Sequence, residues 1–209
     1  MNIILNGASC CGKGSMAGFL VRDFGLVHIS TGDLFREQMA KGTPLGKKVE
    51  SYVSAGQWVP DEVTIEVLLD RIKQPDCVKG VVLDGFPRTL NQAKVLEKVL
   101  NVDLVIAIDV TDDIVLTRLG GRYMCRACGT IHAARWDKID KCKKCGGDLY
   151  QRDDDKAEFI QRRLENFKKN NAEILDFYRA ANKLLVVHDK LENTPADTYA
   201  LVKDVVAKL

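Results

Sequence analysis

Three features of this sequence suggest a chemical role. The first is Gly7-Ala8-Ser9-Cys10-Cys11-Gly12-Lys13-Gly14-Ser15. Its Gly-x4-Gly-Lys spacing is the Walker A pattern, with the hydroxyl one place late, at Ser15. Backbone N–H groups of such a loop and the N-terminus of a following helix point together at an anion, and Lys13 adds a full positive charge. The second group is a pair of Cys-x2-Cys-Gly knuckles, Cys125/Cys128 and Cys142/Cys145, separated by thirteen residues. That spacing is a strong signal for tetrahedral Zn(II). Four thiolates leave no coordination position open, so the metal is expected to be structural. They also leave a net charge of about −2, which Arg126, Lys141, Lys143 and Lys144 can offset. A pair of disulfides and an iron centre are the alternatives. His132, between the knuckles, is expected to pack or to support a ligand. The third is Asp84, which ends an apolar run. A carboxylate there, facing a phosphate loop, suits a hydrated Mg(II); a turn-capping aspartate is the alternative. Taken alone, Arg36 reads as a solvated helix face.

The elements that must position these groups follow from the apolar pattern. Short apolar runs at 3–5, 27–30, 80–84, 104–110 and 184–188 read as buried strands. Between them lie stretches with helical spacing: 15–21, a segment opening at Ser30 or Thr31, 61–74, 112–119, a long helix from about 156, and one from Pro195 to Leu209. Strands alternating with helices predict an α/β fold with a doubly wound, five-stranded parallel sheet. In such sheets ligands collect at the C-terminal ends of the strands, where the Lys13 loop and Asp84 both fall.

Composition narrows the function classes. A chain of 209 residues is one domain, or one domain with inserted lobes. Its 46% apolar and 29% charged residues are ordinary for a soluble globular protein, and a net charge of +2 argues against a nucleic-acid partner. The first residues read as a core strand and not as a signal peptide, and no stretch approaches a membrane span. A cytoplasmic, monomeric protein with reduced thiols is expected.

The Gly-Lys-Gly-Ser loop, Ser30-Thr31-Gly32-Asp33 with Arg36, and Asp84-Gly85-Phe86-Pro87-Arg88-Thr89 with Gln92 together resemble the nucleoside monophosphate kinases. Among these, the adenylate kinase family is the best match, and the resemblance covers essentially the whole chain. The family loop usually reads Gly-x-Pro-Gly-x-Gly-Lys-Gly-Thr. Here Ser9 and Cys10 stand for Pro-Gly, Cys11 follows, and Ser15 replaces threonine. A glycine at position 10 supplies backbone freedom that cysteine adopts only at a cost. The cysteine segment resembles the zinc-bearing lid of some bacterial members, with a shorter gap and no Pro-Pro turn.

The resemblance implies a core of residues 1–29, 60–121 and 160–209, an acceptor-binding lobe over 30–59 and a zinc lid over 122–159. It implies reversible transfer of a phosphoryl group from MgATP to AMP, giving two ADP. Gly7, Cys10, Cys11, Gly12, Lys13, Gly14, Ser15, Arg118 and Arg122 would face ATP. The AMP side would be Thr31, Gly32, Arg36, Gly85, Phe86, Pro87, Arg88, Gln92, Arg152 and Arg163, with the segment Gly56, Gln57, Trp58 and Val59 offering backbone groups to the base. Lys13, Arg88, Arg122, Arg152 and Arg163 would carry the catalysis, and Asp154 and Asp155 match the lid acids. Arg118 would stack on the donor base. Thr31 and Gln92 favour AMP over pyrimidine acceptors, because an amide pairs in bidentate fashion with an adenine edge. Three alternatives stay open: a nucleotide binder with little turnover, GTP as donor, and a zinc-ribbon nucleic-acid binder. The helix end and Lys13 would depress a thiol at Cys10 or Cys11 if it faced the phosphates; otherwise both sulfurs pack as small apolar groups.

Overall fold

The computed structural model describes residues 1–54, 57–134, 137–151, 155 and 157–209. Among them, five strands form one parallel sheet: β1 (Ile3–Asn6), β2 (Val27–Ser30), β3 (Val81–Asp84), β4 (Leu104–Asp109) and β8 (Leu184–His188). Their order across the sheet is β2-β3-β1-β4-β8, with every pair parallel. The expected doubly wound α/β architecture is therefore present. β1 lies in the middle, with β3 and β4 on either side, so the loop that leaves β1 opens at the centre of the sheet.

Strand periodicity sorts the core into two faces. Ile3 and Leu5 point to one face, where Leu20, Val82, Ile106 and Val202 pack. This face is covered by α1 (Lys13–Phe24) and α8 (Pro195–Val206). Ile4 points to the other, with Leu83, Val105, Phe86, Leu68 and Tyr178. That face is covered by α4 (Asp61–Ile72), α5 (Leu90–Glu97) and the 24-residue α7 (Ala157–Ala180). Burial on both faces is why the central strands β1, β3 and β4 read as continuous apolar runs, whereas the edge strands β2 and β8 are only partly buried.

Two segments leave this core. Between β2 and α4 run α2 (Thr31–Ala40) and α3 (Pro44–Ser54), which close around Phe35, Val49, Val59 and Val63. Ser30, not Thr31, caps α2, its hydroxyl accepting from the Asp33 amide. After α6 (Asp112–Gly120) comes a three-stranded antiparallel sheet of β5 (Arg122–Cys125), β6 (Ile131–Ala133) and β7 (Leu149–Tyr150), in the order β6-β5-β7. The hydrophobic pattern does not predict these short strands. A 3₁₀ turn over Pro75–Lys79, before β3, is likewise absent from the sequence-based expectations.

Candidate functional site

The turn from β1 into α1 is built on unusual backbone. Gly7 and Gly12 have φ of 147° and 111°, and Cys10 has φ of 57°. The left-handed region costs a non-glycine residue about 1–2 kcal/mol, so the cysteine at a family glycine position does hold a glycine-like conformation. Gly7 cannot be replaced cheaply. A Cβ there would lie 2.5 Å from Cys11 Sγ and 2.7 Å from the Ile108 carbonyl oxygen. No side chain caps α1 at Gly12, so the first-turn amides stay available to a ligand. Lys13 folds back over the loop and donates to the carbonyls of Gly7 at 2.8 Å and Ala8 at 2.7 Å.

The two loop thiols depart from one of the expectations. Cys11 is fully buried in the sheet–helix core, and Cys10 packs partly against Ala8, Val115 and Leu119. Burial is the largest influence on both and pushes both thiols up, against the pull of Arg122, Lys13 and Arg163 at Cys10 and of Lys13 at Cys11. Desolvation therefore outweighs the nearby positive charge at both thiols; Cys11 packs in the core, while Cys10 is partly buried and also lines the cleft.

On the side of α2 and α5, the backbone makes room for guanidinium groups. A Cβ on Gly32 would come within 3.1 Å of the Arg36 guanidinium, which also pairs with Asp33. A Cβ on Gly85, at φ 80°, would lie 3.1 Å from both the Arg88 guanidinium and the Thr31 hydroxyl. Arg88 Nε donates to the Gly85 carbonyl at 2.8 Å, and Thr31 Oγ1 donates to the same oxygen at 3.0 Å. Trp58 presents its ring to Arg88, with the guanidinium carbon 6.0 Å from the centroid. The Gln92 amide is buried; its Oε1 accepts from the Arg88 N–H at 2.7 Å and its Nε2 donates to Asp61 at 2.7 Å.

Asp84 ends β3 beside Ser30 of β2. Burial pushes its carboxyl up, but His28 at 3.6 Å, Lys13 and Arg88 outweigh burial and hold it below the usual carboxylate range. It is thus an ionised, largely buried acid at the mouth of the phosphate loop, as a hydrated cation requires.

Opposite, Arg122 forms a bidentate pair with the buried Asp155, and Arg163 lies 3.4 Å from the same carboxylate. Arg118 is more tied down than its expected stacking role requires. It donates to the Cys11 carbonyl at 3.1 Å, to Asp189 at 2.8 Å and to the Lys190 carbonyl at 2.9 Å. Asp189 in turn accepts from Thr198 at 2.7 Å and Asn193 at 2.9 Å. The residues after β8 are thereby bound to the phosphate loop.

All these groups meet in one cleft of about 900 Å³. Gly7, Cys10, Gly12, Lys13, Gly14, Ser15, Thr31, Gly32, Arg36, Gln57, Trp58, Val59, Asp84, Gly85, Pro87, Arg88, Gln92, Arg118, Arg122 and Arg163 line it. Cys11 and Phe86 do not; both are core residues. Gly56, Arg152 and Asp154 lie outside the described residues. His28, Asp61 and Asp189 were not assigned roles from the sequence. Asp61 and Asp189 act through partners about thirty and seventy positions away, which no local pattern signals.

The four knuckle cysteines converge. Their sulfurs all lie within 4.8 Å of one another, with Cys125–Cys145 at 3.4 Å and Cys128–Cys142 at 3.6 Å. Zn–S bonds of about 2.3 Å in a tetrahedron give sulfur–sulfur edges of about 3.8 Å, so the cluster fits one metal ion. No two of the seven cysteines are joined, and the knuckle sulfurs stand well beyond S–S bond length, so the arrangement favours a metal over paired disulfides. His132 is buried with Nε2 3.3 Å from Cys142 Sγ, and its Nδ1 lies 3.4 Å from Asp137. It supports a sulfur, as expected, and the four-sulfur set is complete without it.

A glycine-lined anion cradle, an acid at the strand end and converging arginines on a doubly wound sheet define a nucleotide-binding phosphotransferase. The adenylate kinase family model matches residues 5–183. The chain is 46% identical to the adenylate kinase of Symbiobacterium thermophilum over 187 residues, covering 86% of this chain and 87% of that one. It is 42% identical to the adenylate kinase of Bacillus subtilis over 217 aligned positions, covering 100% and 99%. It is 44% identical to that of Archaeoglobus fulgidus, covering 86% of each. The chain belongs to the adenylate kinase family.

Proposed function

We propose that the protein catalyses MgATP + AMP ⇌ 2 ADP, with the Lys13 loop holding the donor phosphates and the Arg36/Arg88 side holding AMP. The observation that carries this reading is the single cleft in which a cationic phosphate cradle and a second, arginine-lined pocket face each other. The nucleophile is a phosphate oxygen of AMP, whose second pKa is about 6, so no strong general base is needed. Catalysis then rests on alignment and on neutralising the charge that spreads over the transferring group.

Each residue has a role set by its place. The α1 amides, Lys13 and the Ser15 hydroxyl bind the donor phosphates. Arg88, braced by the Gly85 carbonyl and Trp58, grips the acceptor phosphate with Arg36. Arg122, Arg152 and Arg163 close on the transferring group; Asp155 holds two of them in place until phosphates replace it. Magnesium, when bound with the nucleotide, supplies further neutralisation of phosphate charge, and Asp84 would hold it through water. Gln92 and Thr31 read the acceptor base. Residues 30–59 and 122–159 act as two lobes that close over the substrates and expel water, which would otherwise compete as acceptor. Cys125, Cys128, Cys142 and Cys145 brace the second lobe around Zn(II). The protein works as a monomer in the cytoplasm.

A coupled assay of ADP formed from ATP and AMP tests the reading. Turnover is expected with magnesium and loss of turnover without it. AMP should exceed CMP and UMP by at least about tenfold in kcat/KM. Equal rates with all three acceptors would defeat the assignment of Thr31 and Gln92.

A further inference from the structure

Asp61, at the first position of α4, gathers three donors from the start of α5. Its Oδ2 accepts from Thr89 Oγ1 at 2.7 Å and from Asn91 Nδ2 at 3.2 Å; its Oδ1 accepts from Gln92 Nε2 at 2.7 Å. The carboxylate thus sits at the N-termini of two helices at once. Thr89 is itself the cap of α5 and accepts from the Gln92 backbone N–H at 3.1 Å.

This arrangement settles which way the Gln92 amide faces. A carboxylate can only accept, so the amide nitrogen must face Asp61. The Arg88 N–H can only donate, so the amide oxygen must face Arg88. Turning the amide over would set oxygen against carboxylate and NH₂ against N–H, losing both bonds and adding two repulsions. One N–H and one lone pair of the amide remain. Thr31 is committed in the same sense: its proton goes to the Gly85 carbonyl, so toward the cleft it can only accept.

We propose that Asp61 is a positioning residue for acceptor-base selection, locking the Gln92 amide in the orientation that complements a 6-aminopurine and mismatches a 6-oxopurine. This rests on the reading of Gln92 as a base-contacting residue. Adenine offers an amino donor and an acceptor ring nitrogen, matching a fixed amide oxygen and N–H. Hypoxanthine offers a carbonyl and a ring N–H, the reverse pattern, and an amide free to turn over could match either. Asp61→Asn loosens the lock from one of its two sides, because the new side chain can face Gln92 with either its oxygen or its nitrogen, while the Arg88 N–H still favours the original orientation.

The test compares kcat/KM for AMP and for IMP in the unmutated protein, Asp61→Asn and Gln92→Ala. The expected result is a strong AMP preference that shrinks at least tenfold in Asp61→Asn. AMP turnover falls in that variant while IMP turnover holds or rises. A purely structural role would lower both acceptors together and leave the ratio unchanged. An unchanged ratio in Asp61→Asn with a changed ratio in Gln92→Ala overturns the role of Asp61 and leaves the Gln92 reading standing. An unchanged ratio in both variants overturns the two together. Hydrogen exchange of the Gln92 side-chain amide, followed by NMR in the unmutated protein, gives an answer that does not depend on the variants folding. Protection relative to surface side-chain amides supports the lock; exchange as fast as those exposed amides overturns it.

Discussion

Asp189→Asn should destabilise the protein severely, although the change removes no volume. Arg118 and Asp189 form an ion pair 2.8 Å apart with side chains only 8% and 3% exposed. Asparagine can keep the bonds from Thr198 and Asn193 through its oxygen, but its NH₂ then meets the guanidinium donor to donor. Arg118 Nε already lacks a partner, so the variant buries a cation that keeps only the Cys11 and Lys190 carbonyls and no counter-charge. Removing one member of a buried pair costs about 3–5 kcal/mol. For a chain of 150–250 residues each kcal/mol moves Tm by roughly 2–4 °C, so a fall of roughly 6–20 °C is expected.

The pH dependence adds a second check. Burial pushes the Asp189 carboxyl up, but Thr198, Arg118 and Asn193 outweigh it and hold it below the usual range. A depressed pKa stabilises the fold above the unfolded value of about 3.9, and that stabilisation is lost as pH falls through the folded pKa. The gap between the unmutated protein and Asp189→Asn should therefore be full at neutral pH and narrow below about pH 4. Thermal melts from pH 3 to 8 measure it. The double change Arg118→Met with Asp189→Leu should recover much of the lost stability, since no charge is then left buried. A neutral-pH loss under about 1 kcal/mol, or a gap that stays constant into acid, would refute the reasoning.

Other expectations follow from the same geometry. Arg88→Ala should lower kcat/KM for AMP about 10²–10³-fold with Tm nearly unchanged, because a charge-assisted contact to a transferring phosphoryl group carries several kcal/mol. A loss under tenfold in steady-state kinetics would remove that role. Brief alkylation of the native protein at neutral pH should leave Cys10 and Cys11 unlabelled, since burial pushes both thiols up; peptide mass spectrometry showing rapid label at either would contradict this. Elemental analysis should give about one Zn(II) per chain through the four knuckle sulfurs. Its removal should lower Tm more than turnover. A chain with no stoichiometric metal under reducing conditions would count against that account.

The sheet was legible because its central strands are buried on both faces and therefore read as apolar runs such as Ile3-Ile4-Leu5 and Leu104-Val105-Ile106. The phosphate loop and the knuckles were legible because their chemistry is local in sequence. The strain at Cys10 was readable as a missing glycine, yet the burial that decides its thiol depends on Val115 and Leu119, a hundred positions on. The antiparallel strands β5 to β7 were not legible. Arg122–Cys125 and Leu149–Tyr150 are too short and half-buried to show a period of two, and the cysteine cluster joins the segments that carry them. Asp61 looked like an ordinary acid at a helix start, and its bonds to Thr89 and Gln92 exist only once α4 packs beside α5.

The fate of the transferred group distinguishes transfer between two nucleotides from hydrolysis of one. The protein is incubated with magnesium and ATP labelled in the γ-phosphoryl group, with and without AMP, and the products are separated. Label is expected in the β position of ADP, only when AMP is present, with little in inorganic phosphate. Label released as inorganic phosphate regardless of AMP, or retained in ATP throughout, would contradict it.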